Sequence, residues 1–338
     1  MTGFSTLVLP IVAGSLTIAF ISIFQRWGLK GKASPMRFLA WSWSITTLLL
    51  GALYLARWGW SYPANLLPKF WAPVFVGAAV NYAGQYIHAK VATYQEGEVS
   101  FSAPLSAMTP GLITTLAVTL GEFPGPSGTV GILFMIAGSW VLLFKGAAQH
   151  WWEYLGPLYR LRLVVNYQKL TAQDKQRAII VWLLLGSAML GTVGLLCDGL
   201  STRRGGDMQG MWLGIVVLFG LLATGYAIQY FLQPDALKKK SGSFRDWTFL
   251  VAVLGYAIAY TLTQWLIKPL YFETYVAYVG TLYRLHILFA VVLGYFIFHE
   301  QDIKKRFGSS SLIIIGVLLI SFEDLPARLT HHIELFGF

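Results

Sequence analysis

Ten apolar runs, each close to the length that crosses a bilayer, constrain this chain more than any other feature. A helix needs about 20 mostly apolar residues to span the hydrocarbon core. On that template the first five runs fall at roughly 4–24, 37–56, 70–89, 99–120 and 128–144. The second five fall at roughly 179–198, 210–232, 247–267, 274–298 and 309–322. Lipid offers the backbone no hydrogen-bond partner, so apolar runs of this length fold as helices. The segments GLKGKASP, RWGWSYPANLLP, GEFPGPSG and QPDALKKKSGS, which separate runs, are rich in helix breakers. The sequence therefore predicts an all-α polytopic membrane protein with ten transmembrane helices.

Composition agrees. Hydrophobic residues make up 56% of the 338 positions and charged residues 12%, against about 25% charged in a soluble chain. A net charge of +10 would suit nucleic acid, but the lysines and arginines sit almost entirely between apolar runs, where charge sets topology. Membrane lipids are the expected partners, and nucleic acid is not. Cys197 is the single cysteine, so no intrachain disulfide can form. The chain turns apolar almost at once, without a charged leader region or a small-residue cleavage site, which predicts a retained first helix. The expected location is the cell (inner) membrane.

The two halves echo each other. Lys90 maps onto Lys268 and Glu122 onto Glu300 at one shared offset of 178 positions. The same offset maps Gly77 onto Gly255, Ala79 onto Ala257, Tyr82 onto Tyr260 and Gly138 onto Gly316. Landmarks that share one offset indicate a duplicated unit. Five spans per unit is an odd number, so the second unit must sit inverted relative to the first. Inverted repeats around a midplane site are a transporter design. The expected division is a first five-helix repeat over 1–144, a linker over 145–178, a second repeat over 179–323 and a tail over 324–338. In the linker, WWEYLGPLYRLRLVV mixes aromatic, aliphatic and arginine residues around Gly156 and Pro157. That pattern predicts a segment lying along the membrane surface. Thr171, with Asp174 three positions on, predicts the cap of the following helix.

Orientation follows from charge. The odd-numbered loops carry 18 of the 25 lysines and arginines and the even loops and tail carry 6, Arg284 being the last. The positive-inside rule then places the odd loops in the cytoplasm and both termini outside.

Candidate site residues come from the polar groups inside apolar runs. Tyr82, Tyr86 and Lys90 stand at i, i+4 and i+8 and share nearly one helix face. Asn81, Gln85 and His88 widen that stripe, and the repeat mates Tyr260, Gln264 and Lys268 give the eighth span its counterpart. Such a stripe suits a wet pathway. The competing reading is interfacial, since lysines snorkel from helix ends and tyrosines belong to the aromatic belt. Arg284 lies about ten residues, or roughly 15 Å, into its span, too deep to snorkel with ease. Its planar fork suits a carboxylate or phosphate; the alternative is an ion pair with Glu98 or Glu273. His286 projects away from Arg284 and is read either as a proton relay or as a hydrogen-bonded packing residue. Glu122 and Glu300 are expected to cap or anchor the loops beside them.

No phosphate-binding glycine loop, zinc spacing or nucleophile elbow is present, and the terminal His331, His332 and Glu334 have no evident companion ligands. No cofactor and no enzymatic activity are therefore expected. The sequence favours a secondary carrier over a flippase for a lipid-linked metabolite or an integral-membrane transferase. Its partners would be a small-molecule substrate and a coupling proton or ion, and a homodimer is compatible with the pattern.

The stretch AKVATYQEGEVSFSAPLSAMTPGLITTLAVTLGEFPGPSGTVGILFMIAGSWVLLF resembles the end of an EamA-type domain of the drug/metabolite transporter superfamily. The likeness is carried by Lys90, Pro110, Gly121, Glu122, Gly131 and Gly138, and in the second half by Lys268, Glu300, Gly308 and Gly316. The second half departs from it with Leu288 where Pro110 would fall. The resemblance implies two five-helix halves around a central pathway. Relatives of that kind move amino acids, sugars, nucleotide sugars, organic phosphates and drugs, so it names no substrate. Many have cytoplasmic termini, against the charge count here, and the long central linker is unusual among them. From the three cations of the cavity set, an anionic or zwitterionic metabolite is the expected substrate, with export as the expected direction.

Overall fold

The computed structural model describes residues 2–30, 34–91, 109–143, 172–233, 247–298 and 303–321. Among them every regular element is helical. The first half contributes α1 (Thr2–Lys30), α2 (Pro35–Trp58), α3 (Trp71–Val91), α4 (Thr109–Ala117) and α5 (Pro126–Leu143). The second contributes α6 (Ala172–Arg204), α7 (Met208–Leu232), α8 (Trp247–Ile267), α9 (Leu270–Glu273), α10 (Val276–Leu282), α11 (Leu285–Phe298) and α12 (Ile303–Ser321). Among the described residues, four helical stretches are long and apolar enough to cross a membrane: Leu9–Leu29, Pro35–Trp58, Met208–Leu232 and Trp247–Glu273. Large apolar side chains lie exposed along them, including Leu9, Leu48, Phe231 and Trp247. In water such surfaces would be a liability; in lipid they are the solvent-facing side.

Local chemistry sets several boundaries. Pro35 opens α2 at a position where its missing N–H costs nothing. The Asp207 carboxylate accepts the Gly210 N–H at 2.8 Å and caps α7. After α4, a 3₁₀ turn over Val118–Leu120 ends at Gly121 with φ 75°. Gly121 N–H bonds to the Val118 carbonyl and Glu122 N–H to the Ala117 carbonyl, the paired bonds of a Schellman stop, which needs a left-handed residue.

Three expected boundaries are corrected. The sixth span, expected over roughly 179–198, belongs to a 33-residue helix. At about 1.5 Å per residue this helix is about 50 Å long, more than the hydrocarbon core requires. Its first turns take in residues 172–178, expected to end the surface linker. The ninth span is not one helix: a turn at Tyr283–Arg284 divides it into α10 and α11. The tenth helix starts at Ile303, earlier than expected. The Thr171 cap, the body of the linker, the first part of the fourth span and the tail lie outside the described residues.

The helices pair across the halves. α3 runs antiparallel to α6: a Cβ on Gly77 would lie 3.2 Å from Cys197 Cβ, and one on Gly84 would lie 3.8 Å from Leu190 Cβ. Between them, Asn81 packs on Gly194. α1 runs antiparallel to α8 in the same manner, with Gly14 on Ile267, Thr17 hydrogen-bonded to Thr263 at 2.6 Å, and Phe24 on Gly255. Each of the offset-related glycines, Gly77 and Gly255, is thus a point of close approach to the first helix of the opposite half. α2 packs against α7, where Trp43 and Phe219 stack at 5.2 Å. α5 packs against α12, where the backbones meet at Gly131 and Gly316. Without a strong hydrophobic drive between helices in lipid, such close approaches at small residues are how packing is gained.

Candidate functional site

Four connections gather at one end of the bundle: 59–70, 121–125, 205–207 and 268–275. Leu67 N–H bonds to the Arg204 carbonyl at 2.9 Å, and Asn65 Nδ2 donates to Asp207 at 2.9 Å. Glu122 and Arg203 form an ion pair of 2.7 Å. Arg203 also donates from Nε to the Tyr271 carbonyl at 3.2 Å and from Nη2 to the Thr274 carbonyl at 3.1 Å. The second Glu122 oxygen accepts the Ala277 N–H at 3.3 Å. Glu122, only 3% exposed, is therefore held by the opposite half through an ion pair at Oε1 and a hydrogen bond at Oε2. Glu122 was expected to cap or anchor the loop beside it; it instead ties its helix end to the opposite half, and Glu300 lies outside the described residues.

Lys268 belongs to the same end. Its ammonium lies 2.6 Å from Asp198 Oδ1, and its side chain is almost fully buried. Neither snorkelling nor an open mouth describes this lysine, because burial of a charge at this level requires a partner. Asp198 was the residue that sequence reading missed. It stands at the edge of the sixth apolar run. The signal was available in the run GLLCDGLST, where one carboxylate interrupts a helical stretch. Asp198 also lies within electrostatic range of the phenols of Tyr260, Tyr271 and Tyr283.

The two tyrosines related by the offset each meet the second helix of the opposite half. Tyr82 donates to Gln229 Oε1 at 2.6 Å, and Tyr226 donates to the Tyr82 carbonyl at 2.8 Å. Tyr260 sits edge-on to Trp43 at 4.6 Å and to Phe219 at 5.4 Å, and stacks on Tyr256. Tyr86 packs half-buried against the same aromatic core. Gln264, one turn from Lys268, is 5% exposed, and its Oε1 has no hydrogen-bond partner. The Lys90 side chain lies outside the described residues, but α3 carries its backbone toward the end opposite Lys268.

Arg284 stands in the turn between α10 and α11. Its N–H bonds to the Thr281 carbonyl at 2.9 Å, a tightened 3₁₀ step. The Leu282 carbonyl, displaced from regular helix at this break, receives the buried Ser15 hydroxyl of α1 at 3.5 Å. The Arg284 Nε is buried and has no hydrogen-bond partner. Pairing with Glu98 falls outside the described residues, and Glu273 is exposed and forms no ion pair with it among the described residues. His286 donates from Nδ1 to the Tyr283 carbonyl at 2.7 Å and lies edge-on to the Tyr283 ring. That geometry fits the packing role for His286. Among the described residues no group of three or more metal-ligating side chains comes together.

Gln264 and Lys268 thus follow Tyr260 along and just past α8, while Tyr82, Tyr86, Tyr260 and Tyr283, the neighbour of Arg284, pack around one hydrophobic core. No protein-family model matches the chain, and no curated protein matches it. One solved structure, described as "Crystal structure of protein", superposes on 94% of this chain and 98% of its own with a TM-score of 0.63 at 15% sequence identity. At that identity the likeness is one of fold.

Proposed function

We propose that the protein is a secondary transporter built from two inverted five-helix repeats, exporting a small anionic or zwitterionic organic metabolite by alternating access. The observation that carries this reading is the reciprocal pairing of helices. Exchanging the two halves turns the α1–α8 pair into the α6–α3 pair and the α2–α8 contact into the α7–α3 contact. The same exchange maps the α2–α7, α5–α12 and α4–α10 pairs onto themselves. A pseudo-two-fold relation produces this pattern, and the odd span count tips its axis into the membrane plane. The gathering of the four even-numbered connections at one end supports the same alternation of spans.

The resemblance to EamA-type transporters fits this arrangement. The site falls where the halves meet. A segmented helix at that level, with an arginine in its break, matches the discontinuous helices that carry substrate in such carriers. Arg284 is the anchor for the anionic group, Gln264 on α8 offers a buried, unpartnered amide oxygen, and Lys268 is held back by Asp198. Vesicles of both orientations loaded with a panel of organic anions and zwitterions test the reading. Export of at least one class, with weakened affinity in Arg284→Gln protein that still folds, is the expected result. Absence of counterflow for every class would overturn it.

A further inference from the structure

The Glu122–Arg203 contact crosses between the halves at one end of the bundle. Glu122 is the first-half residue in it; Arg203, the carbonyls of Tyr271 and Thr274, and the N–H of Ala277 come from the second half. Asp198 and Lys268 add a second buried pair beside it. The four charges sum to zero, so the cluster is stable in a dry environment only while both pairs hold.

At the opposite end the offset supplies Lys90 and Glu300 but no equivalent acid, because α1 contains no aspartate or glutamate. Positions 20 and 25, which match Asp198 and Arg203, are Phe20 and Gln25. The segment that Arg203 grips is also the most interrupted part of the second half, with α9 and α10 set between turns.

We propose that the Glu122–Arg203 clamp, stiffened by Asp198–Lys268, is the lock that closes this end of the pathway. The proposal rests on the carrier reading above. Ion pairs suit a seal that must open. Hydration of the separated charges offsets much of the Coulomb energy lost, whereas an apolar seal of equal area loses its packing without such return. Such a lock biases the resting protein toward closure at this end, which by the charge count is the non-cytoplasmic end.

Spin labels at Phe123→Cys and Glu273→Cys in a Cys197→Ala background report the gap, since both positions are exposed and flank the clamp. Double electron–electron resonance on the full chain in nanodiscs should give one short distance. Glu122→Gln should raise a longer-distance population about tenfold or more, the scale set by losing a charge-assisted bond. Arg203→Lys keeps the charge but gives up the fork to two carbonyls, and should raise it by a smaller factor. Unchanged distances in both folded variants would overturn the lock. So would loss of folding in both, which would make the clamp a structural staple. The readout needs no substrate: unchanged distances with intact transport remove the lock and keep the carrier, while opened distances without transport of any panel member keep the lock and remove the carrier.

Discussion

The Lys268 ammonium lies 2.6 Å from the Asp198 carboxylate, with the lysine side chain 6% exposed and the aspartate 19%. Two helices, α6 and α8, are joined there by charges that the bilayer cannot solvate. Removing one partner strands the other. Lys268→Gln should therefore destabilise the protein by about 3–5 kcal/mol, and the double variant Asp198→Asn/Lys268→Gln should recover most of it. Thermal unfolding followed by size-exclusion chromatography in detergent measures both. Equal losses in single and double variants would contradict the pairing.

Gly131 and Gly316 test the packing of α5 on α12. A Cβ on Gly131 would lie 2.7 Å from the Gly316 carbonyl oxygen, and one on Gly316 would lie 2.6 Å from the Gly131 oxygen. Backbone cannot step aside as a side-chain tip can, so Gly131→Ala should cost about 1–3 kcal/mol. Gly51→Ala, in α2 with nothing within 4 Å, should be neutral or stabilising by up to about 1 kcal/mol. The same unfolding assay compares them.

Tyr82→Phe removes the hydroxyl that donates to Gln229. A loss of about 1 kcal/mol is expected, because the amide oxygen is left partly buried without its donor. In that background Gln229→Leu should cost little more, and a double-mutant cycle reads the coupling.

Arg284 is proposed to hold the anionic group of the substrate. Arg284→Gln should weaken affinity for the transported anion roughly ten- to a hundredfold. Arg284→Lys should recover part of that, since an ammonium cannot reproduce a bidentate fork. Counterflow in vesicles supplies the affinities. Unchanged affinity in folded Arg284→Gln protein would assign the arginine a structural role.

Topology can be read by labelling single cysteines in the Cys197→Ala background with an impermeant thiol reagent. Positions 62 and 123, both exposed and both in connections at the clamped end, should react from the same side of the membrane. Position 239, in the lysine-rich seventh loop, should react from the other. Labelling of 62 and 123 from opposite sides would break the proposed alternation of spans.

Hydropathy was enough to predict helices and several of their approximate ends, and the shared offset suggested the duplication proposed here. Both signals are local or statistical: a run of apolar residues must satisfy its own backbone in lipid, and a duplication leaves landmarks at one spacing. They also marked Lys268, Gln264, Arg284 and Glu122 as the polar groups that needed an explanation. What answers to each of them was decided by the tertiary structure alone. Asp198 meets Lys268, and Arg203 meets Glu122, because α6 is longer than its apolar run and carries both charges to the end where α4 and α8 finish. The break at Arg284 is likewise tertiary, the Leu282 carbonyl turning to the Ser15 hydroxyl of α1. Helical periodicity states which residues share a face; it holds no record of what a distant helix sets opposite that face, and in a bundle this choice fixes whether a buried charge is paired, anchored or free to bind.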